Sequence, residues 1–124
     1  MPRPMPELPF TEAAVVGRVI RALRAHSGES QQTFAMQVGI GTSSLARVES
    51  GKQAPSFSVL WGVESWLYEQ GKIGTRGVIF RGGAQALAIL EAEGHSRGDN
   101  VRIQTEVVDS IVTEALRHIG VVLV

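Results

Sequence analysis

The sequence predicts a mainly α chain, with four helices in its first half and a small α+β region in its second. Three observations lead there. Apolar residues recur at spacings of three and four through most of residues 11–70, the period of a helix with one buried face. Small polar residues and glycines, Ser27-Gly28, Ser30, Gly39 and Gly71, punctuate these runs where a helix would start or stop. After residue 72 the texture changes, and short β-branched runs at Val78-Ile79-Phe80 and Val101-Arg102-Ile103-Gln104 alternate with helical stretches. The chain divides accordingly into an extended N-terminal arm (1–12), a helical unit (13–71) and a C-terminal α+β region (72–124).

The first helix is expected over residues 11–26, with Val16, Val19, Ile20 and Leu23 inward and Arg18, Arg21 and Ala25 mostly on the other side. Ser30 caps a second helix, because a serine hydroxyl accepts from the free amides of a first turn. Phe34 and Val38, four apart, give this helix its inner face, and Gly39 ends it. Gly41 or Thr42 caps a short third helix reaching about Glu49, with Leu45 and Val48 inward. Pro55 or Ser56 opens a fourth, with Phe57, Leu60, Val63 and Leu67 as its apolar stripe, ending near Gln70-Gly71. Beyond the linker, Val78-Ile79-Phe80 reads as a strand and Arg81-Gly82-Gly83 as a turn. Ala84–Glu93 follows as a helix, residues 94–99 as a loop and Val101–Gln104 as a second strand. Last come a helix from Thr105 or Asp109 and an extended apolar end, residues 121–124.

Composition narrows the function classes. Of the 124 residues, 44% are hydrophobic, enough for a core, yet no run approaches the ~18 apolar residues of a spanning helix. The proline-rich start (Pro2, Pro4, Pro6, Pro9) lacks the basic-then-apolar pattern of a signal peptide and reads as a loose arm. There is no cysteine, which removes disulfides, thiolate metal sites and cysteine nucleophiles. A cytoplasmic location is expected. Net charge is zero but unevenly spread. Residues 13–55 carry five basic side chains (Arg18, Arg21, Arg24, Arg47, Lys52) against Glu29 and Glu49, while residues 56–124 carry six basic against eight acidic. Attraction to phosphate depends on local charge, and the first half holds the excess.

Two helices joined by a tight glycine-containing turn form a DNA-reading device. The second of the pair must fit a major groove about 12 Å wide and offer hydrogen-bonding side chains on its outer face. Here that face is Thr42, Ser43, Ser44 and Arg47. The pattern resembles the lambda-repressor-like helix-turn-helix regulators, the XRE or Cro/C1-type family. The matching residues are Gly17 to Arg24, Gly28, Ser30 to Ala35, Gly39 and Leu45. The most specific piece is the run Arg47-Val48-Glu49-Ser50-Gly51-Lys52-Gln53-Ala54-Pro55. The resemblance covers about residues 13–70. It implies a lambda-repressor-like helical HTH domain and does not extend to residues 72–124, whose own pattern gives the C-terminal α+β dimerisation or regulatory region.

The resemblance also implies roles. Gln31 would donate to a DNA phosphate at a helix N-terminus, where backbone amides also favour anions, and Gln32 would lie near the same strand or support the recognition helix. Thr42, Ser43 and Ser44 would face base edges or phosphates. Arg47 would reach a guanine, whose two acceptors match a guanidinium fork, and Lys52 would lie against the backbone. Arg24 would pair with Glu49 in a structural salt bridge. Three features depart from the family pattern: Glu29 before the capping serine, Gly62 and Glu64 inside the fourth helix, and the short side chains at 42–44. Base reading would then lean on Arg47, water and DNA shape.

No nucleophile, base and orienting group can be assembled, so no catalytic residue and no enzyme are expected. His26, His95 and His118 lack metal-ligand spacing, and no metal or cofactor is implied. Arg81-Gly82-Gly83 lacks the lysine and hydroxyl of a phosphate loop. Trp61 and Trp66 read as core or dimer contacts. One module covers too few base pairs alone, so the expected partners are double-stranded DNA and a second copy, paired through residues 72–124, in a repressor reading a palindromic operator. An antitoxin whose second half neutralises a toxin partner, and a small-molecule sensor with a pocket lined by Phe80, Leu87, Ile103 and Ile111, are the other classes.

Overall fold

In the computed structural model, which describes residues 6–121, the architecture grows around one central helix. This helix, α1 (Glu12–Ser27), starts where the Thr11 hydroxyl accepts from the Ala14 amide at 3.2 Å. It stops at Gly28, whose positive φ of 81° turns the chain and whose N–H donates to the Ala25 carbonyl. Val15, Val16, Val19, Ile20 and Leu23 on α1 are all buried. On it pack α3 (Thr42–Glu49), α5 (Val78–Ala92) and α6 (Thr105–His118), while α2 (Gln31–Val38) packs on α3, and α4 (Phe57–Glu69) on α2 and α5. The caps fall where the sequence puts them. Ser30 accepts from Thr33 N, Ser56 from Val59 N, and Gly39 closes α2 at φ 80°.

Two departures concern the start of the chain and the middle of its second half. From residue 6 to residue 10 the arm is extended but not loose. β1 (Glu7–Pro9) pairs antiparallel with β2 (Arg102–Gln104), Leu8 opposite Ile103, in a two-stranded ribbon. Leu8 and Phe10 are buried in the core, and the Phe10 amide donates to the Val101 carbonyl at 2.9 Å. Pro9 of β1 fits an edge strand, which has a side needing no ladder donor.

The second departure is α5. Val78-Ile79-Phe80 is no strand and Arg81-Gly82-Gly83 no turn; both lie inside one continuous helix. The reason is packing. A Cβ on Gly82 would sit 2.9 Å from Leu116 Cδ2, and one on Gly83 3.1 Å from Val16 Cγ2. The two glycines are where α5 presses against α6 and α1. The buried set Val78, Ile79, Gly82, Gly83, Ala86, Leu87 and Leu90 has a helical period that counting the glycines as contact residues would have revealed.

With a helix in place of a strand, no strand-helix-strand-helix unit forms, and α5 and α6 bury their apolar stripes against each other and against α1. Leu87, Ile103 and Ile111 lie in this core while Phe80 is 54% exposed, so these four residues line no common pocket. Arg18, expected on the outer side of α1, is buried, and its guanidinium makes two 2.7 Å bonds to the Asp109 carboxylate of α6. Phe57 turns outward rather than joining the α4 stripe, at 74% exposed. Gly62, odd for a helix interior, lets α4 approach α2, since a Cβ there would stand 3.2 Å from the Val38 carbonyl oxygen. The expected extended apolar end lies, beyond residue 121, outside the described residues. Among the described residues no helix is long and apolar enough to cross a membrane.

Candidate nucleic-acid interface

The α2–α3 pair is fixed from inside. Phe34 and Ala35 of α2 and Leu45 and Val48 of α3 are fully buried, and Trp66 of α4 meets the Phe34 ring edge-on at 5.4 Å. Gly39-Ile40-Gly41 makes the turn, with the Ile40 amide donating to the Ala35 carbonyl. An eight-residue α3 follows, with its start at Gly41 uncapped by any side chain. Its inner face leaves no freedom of rotation. Thr42, Ser43 and Arg47 are therefore held exposed, with Ser44 half-buried beside them.

Two sets of bonds secure the far end of α3. Glu49 is buried, and its carboxylate accepts from Arg24 Nε at 2.7 Å, Arg24 Nη2 at 2.9 Å and Gln31 Nε2 at 3.0 Å. Its backbone carbonyl accepts from Arg18 Nη1 at 2.7 Å. Arg24 also donates to the Glu29 carbonyl at 2.8 Å, which gives position 29 a backbone role indifferent to its side chain. A buried carboxylate met by a two-pronged guanidinium and an amide has its lone pairs largely satisfied, the condition under which a buried charge is tolerable. Gly17 makes the helices' closeness possible, since any Cβ there would strike the Val48 carbonyl oxygen at 2.0 Å.

The loop after α3 wraps back. Lys52 and Gln53 amides both donate to the Arg47 carbonyl, and Gly51 holds φ 78° against Ala14. This brings in a residue that sequence reasoning missed. Gln53 Oε1 accepts from Arg47 Nε at 2.9 Å, while Ser44 Oγ accepts from Arg47 Nη2 at 3.3 Å. The Arg47 fork is thus steadied on two sides, and it takes part in none of the ion pairs among the described residues. A glutamine six residues past an arginine carries no sequence signal for this contact, which depends on the turn at Gly51. The site residues read from the sequence sort into two groups. Gln32, Thr42, Ser43, Ser44, Arg47 and Lys52 stand on the outer side, exposed except for the half-buried Ser44. Gln31 commits one amide hydrogen to Glu49, so it joins Arg24 and Glu49 in bracing α3.

A model of the helix-turn-helix domain matches residues 15–60, the segment just described. An uncharacterized HTH-type transcriptional regulator of Bacillus subtilis (strain 168), YazB, is 41% identical over 49 residues, which span 40% of this chain and 71% of that protein. The chain belongs to the helix-turn-helix transcriptional regulators. No solved structure matches it. For a helix-turn-helix regulator, DNA binding is the function of the paired helices, and the fold is the mainly α one read from the sequence, with its small two-stranded sheet. The match ends within α4. The α5–α6 region belongs to this regulator by packing on α1, outside the segment that the family model covers.

Proposed function

We propose that this regulator is a dimeric repressor of the XRE type that reads a palindromic operator by laying α3 in the major groove. The observation that carries the reading is the outer face of α3. Thr42, Ser43 and Arg47 are exposed on a short helix whose inner face is fully buried and whose far end is clamped by Arg18, Arg24 and Gln31. Arg47 reads guanine, Thr42, Ser43 and Ser44 meet base edges or phosphates, and Gln32 and Lys52 hold the flanking backbone. Repression follows from occluding a promoter.

One such face covers a half-site, so the reading needs a second copy. The apolar surface of α5 and α6 is largely used within the chain, which shifts the contact toward α4. There Phe57 and Trp61 stack at 6.5 Å between ring centres, and Arg76 lies over Trp61 and Tyr68. Phe80 is the second half's contribution, sharing a groove with Ala54, Pro55 and Leu60. Exposed aromatics clustered this way are the usual centre of a protein contact.

The test is selection of bound sequences from random DNA, then titration of wild type and Arg47→Ala on the selected site. The expected result is a palindrome, with the variant binding about 5- to 150-fold more weakly and losing preference at one base pair per half-site, the ~1–3 kcal/mol of a two-pronged guanine contact. Unchanged affinity and preference in the variant would remove α3 as the reading helix.

A further inference from the structure

We propose that the cavity between the α4–α5 loop and the ends of α1 and α6 binds a small phosphorylated molecule. Its volume is about 450 Å³, within the range of small-ligand sites. Three cationic or protonatable side chains line it: His26 from the end of α1, Lys72 from the loop, and Arg81 from the first turns of α5. No aspartate or glutamate is among the lining residues. In a chain with as many acidic as basic residues, a concave surface lined by one sign alone is a selective feature.

The backbone adds to it. Gly71, Gly74 and Thr75 bring main chain to the wall, and α5 begins beside them at Gly77, which offers no side-chain cap to its amides. A helix start without a side-chain acceptor favours an anion nearby over a neutral guest, and Val78 of that first turn is among the lining residues. Arg81 is positioned by donating from Nη2 to the Ile119 carbonyl at 3.3 Å, which leaves its other hydrogens for a ligand. Ile73, Val78 and Ile119 add apolar lining. An inorganic ion would leave most of the volume empty. A phosphate monoester with an organic body of sugar size suits a lining that is both cationic and apolar. The cavity also touches the DNA-reading unit through α1, since His26 follows Arg24, the holder of Glu49, by two residues.

The inference stands apart from the operator reading and is tested without DNA. Ribose 5-phosphate, ribose and inorganic phosphate are titrated into the full chain at constant ionic strength, with backbone amides followed by NMR. Saturable shifts at Gly74, Thr75 and Val78 are expected with ribose 5-phosphate, at least tenfold tighter than with inorganic phosphate and absent with ribose. The exposed pair Lys72→Ala/Arg81→Ala should weaken binding by at least tenfold while keeping the wild-type far-ultraviolet spectrum. Arg81→Lys on its own, which retains the charge, should recover part of the loss caused by Arg81→Ala. Shifts confined to residues 42–53, equal binding of ribose, or binding unchanged in the double variant would each overturn the site.

Discussion

At the scale of single residues, the charged groups of this protein divide into those that read and those that brace. Arg24 and Glu49 brace. The glutamate is 2% exposed, and removing its partner leaves a charge away from water with only Gln31 to answer it. Arg24→Ala should lose on the order of 3 kcal/mol in urea unfolding, more than a surface pair is worth. Glu49→Gln should lose less, because an amide of the same shape is cheaper to bury than an unpaired carboxylate. In the proposed reading, Lys52 meets phosphate charge alone. Lys52→Ala should weaken all DNA sequences alike and lower the slope of log affinity against log salt by about one, whereas Arg47→Ala changes preference. Glu64 fits neither group. It is buried within α4, and its Oε1 has no hydrogen-bond partner among the described residues. A desolvated oxygen of that kind costs about 1–3 kcal/mol, so Glu64→Met, similar in volume and apolar, should raise stability by roughly 1 kcal/mol in the same urea series. Lower stability would mean that the carboxylate has a partner in solution.

At the scale of elements, glycine decides how closely the helices approach. Gly17 is the sharpest case, with Val48's carbonyl oxygen only 2.0 Å from where a Cβ would stand. Gly17→Ala therefore cannot be absorbed by a side-chain rotation. It has to push α3 off α1, and a loss of at least ~3 kcal/mol, the upper end for overpacking, is expected on chemical denaturation, although alanine is the better helix former. A stability within 1 kcal/mol of wild type would contradict the packing. The same physics marks the limit of what the sequence discloses. Helices α1 to α4 were legible because their caps, periods and glycine stops are local, and Ser30, Gly28 and Gly39 announce themselves within four residues. The outer face of α3 was legible for the same reason. Helix α5 was not, because Gly82-Gly83 looks like a turn until α6 and α1 are placed against it. Nor was the burial of Arg18, whose partner Asp109 lies 91 residues away. An ion pair across that separation leaves no periodic trace, whereas the period of α5 was present and hidden only by reading its glycines as a turn.

At the scale of the whole molecule, α1 is shared. It carries Arg24 toward α3 and Arg18 toward both α3 and α6, so the DNA-reading unit and the second half lean on one helix. That economy leaves the surface of α4 as the place where the molecule is unfinished. Phe57, Trp61 and Tyr68 recur on one side of it at 74%, 56% and 42% exposure, an arrangement that solitary solvated residues do not need. A charge placed in their midst separates folding from association. Trp61→Glu alters a mostly exposed position, so its thermal midpoint should stay within a few degrees of wild type. In sedimentation equilibrium the wild type should run at twice the chain mass, and the variant should run as a monomer at the same concentration. On DNA the variant should keep its half-site affinity and lose the extra affinity for the full palindrome, because only simultaneous engagement of both half-sites links the two binding events. A variant that still sediments as a dimer would move the contact elsewhere, to the surface formed by residues 72–124. A wild type that is monomeric even on the palindrome would remove the dimer altogether.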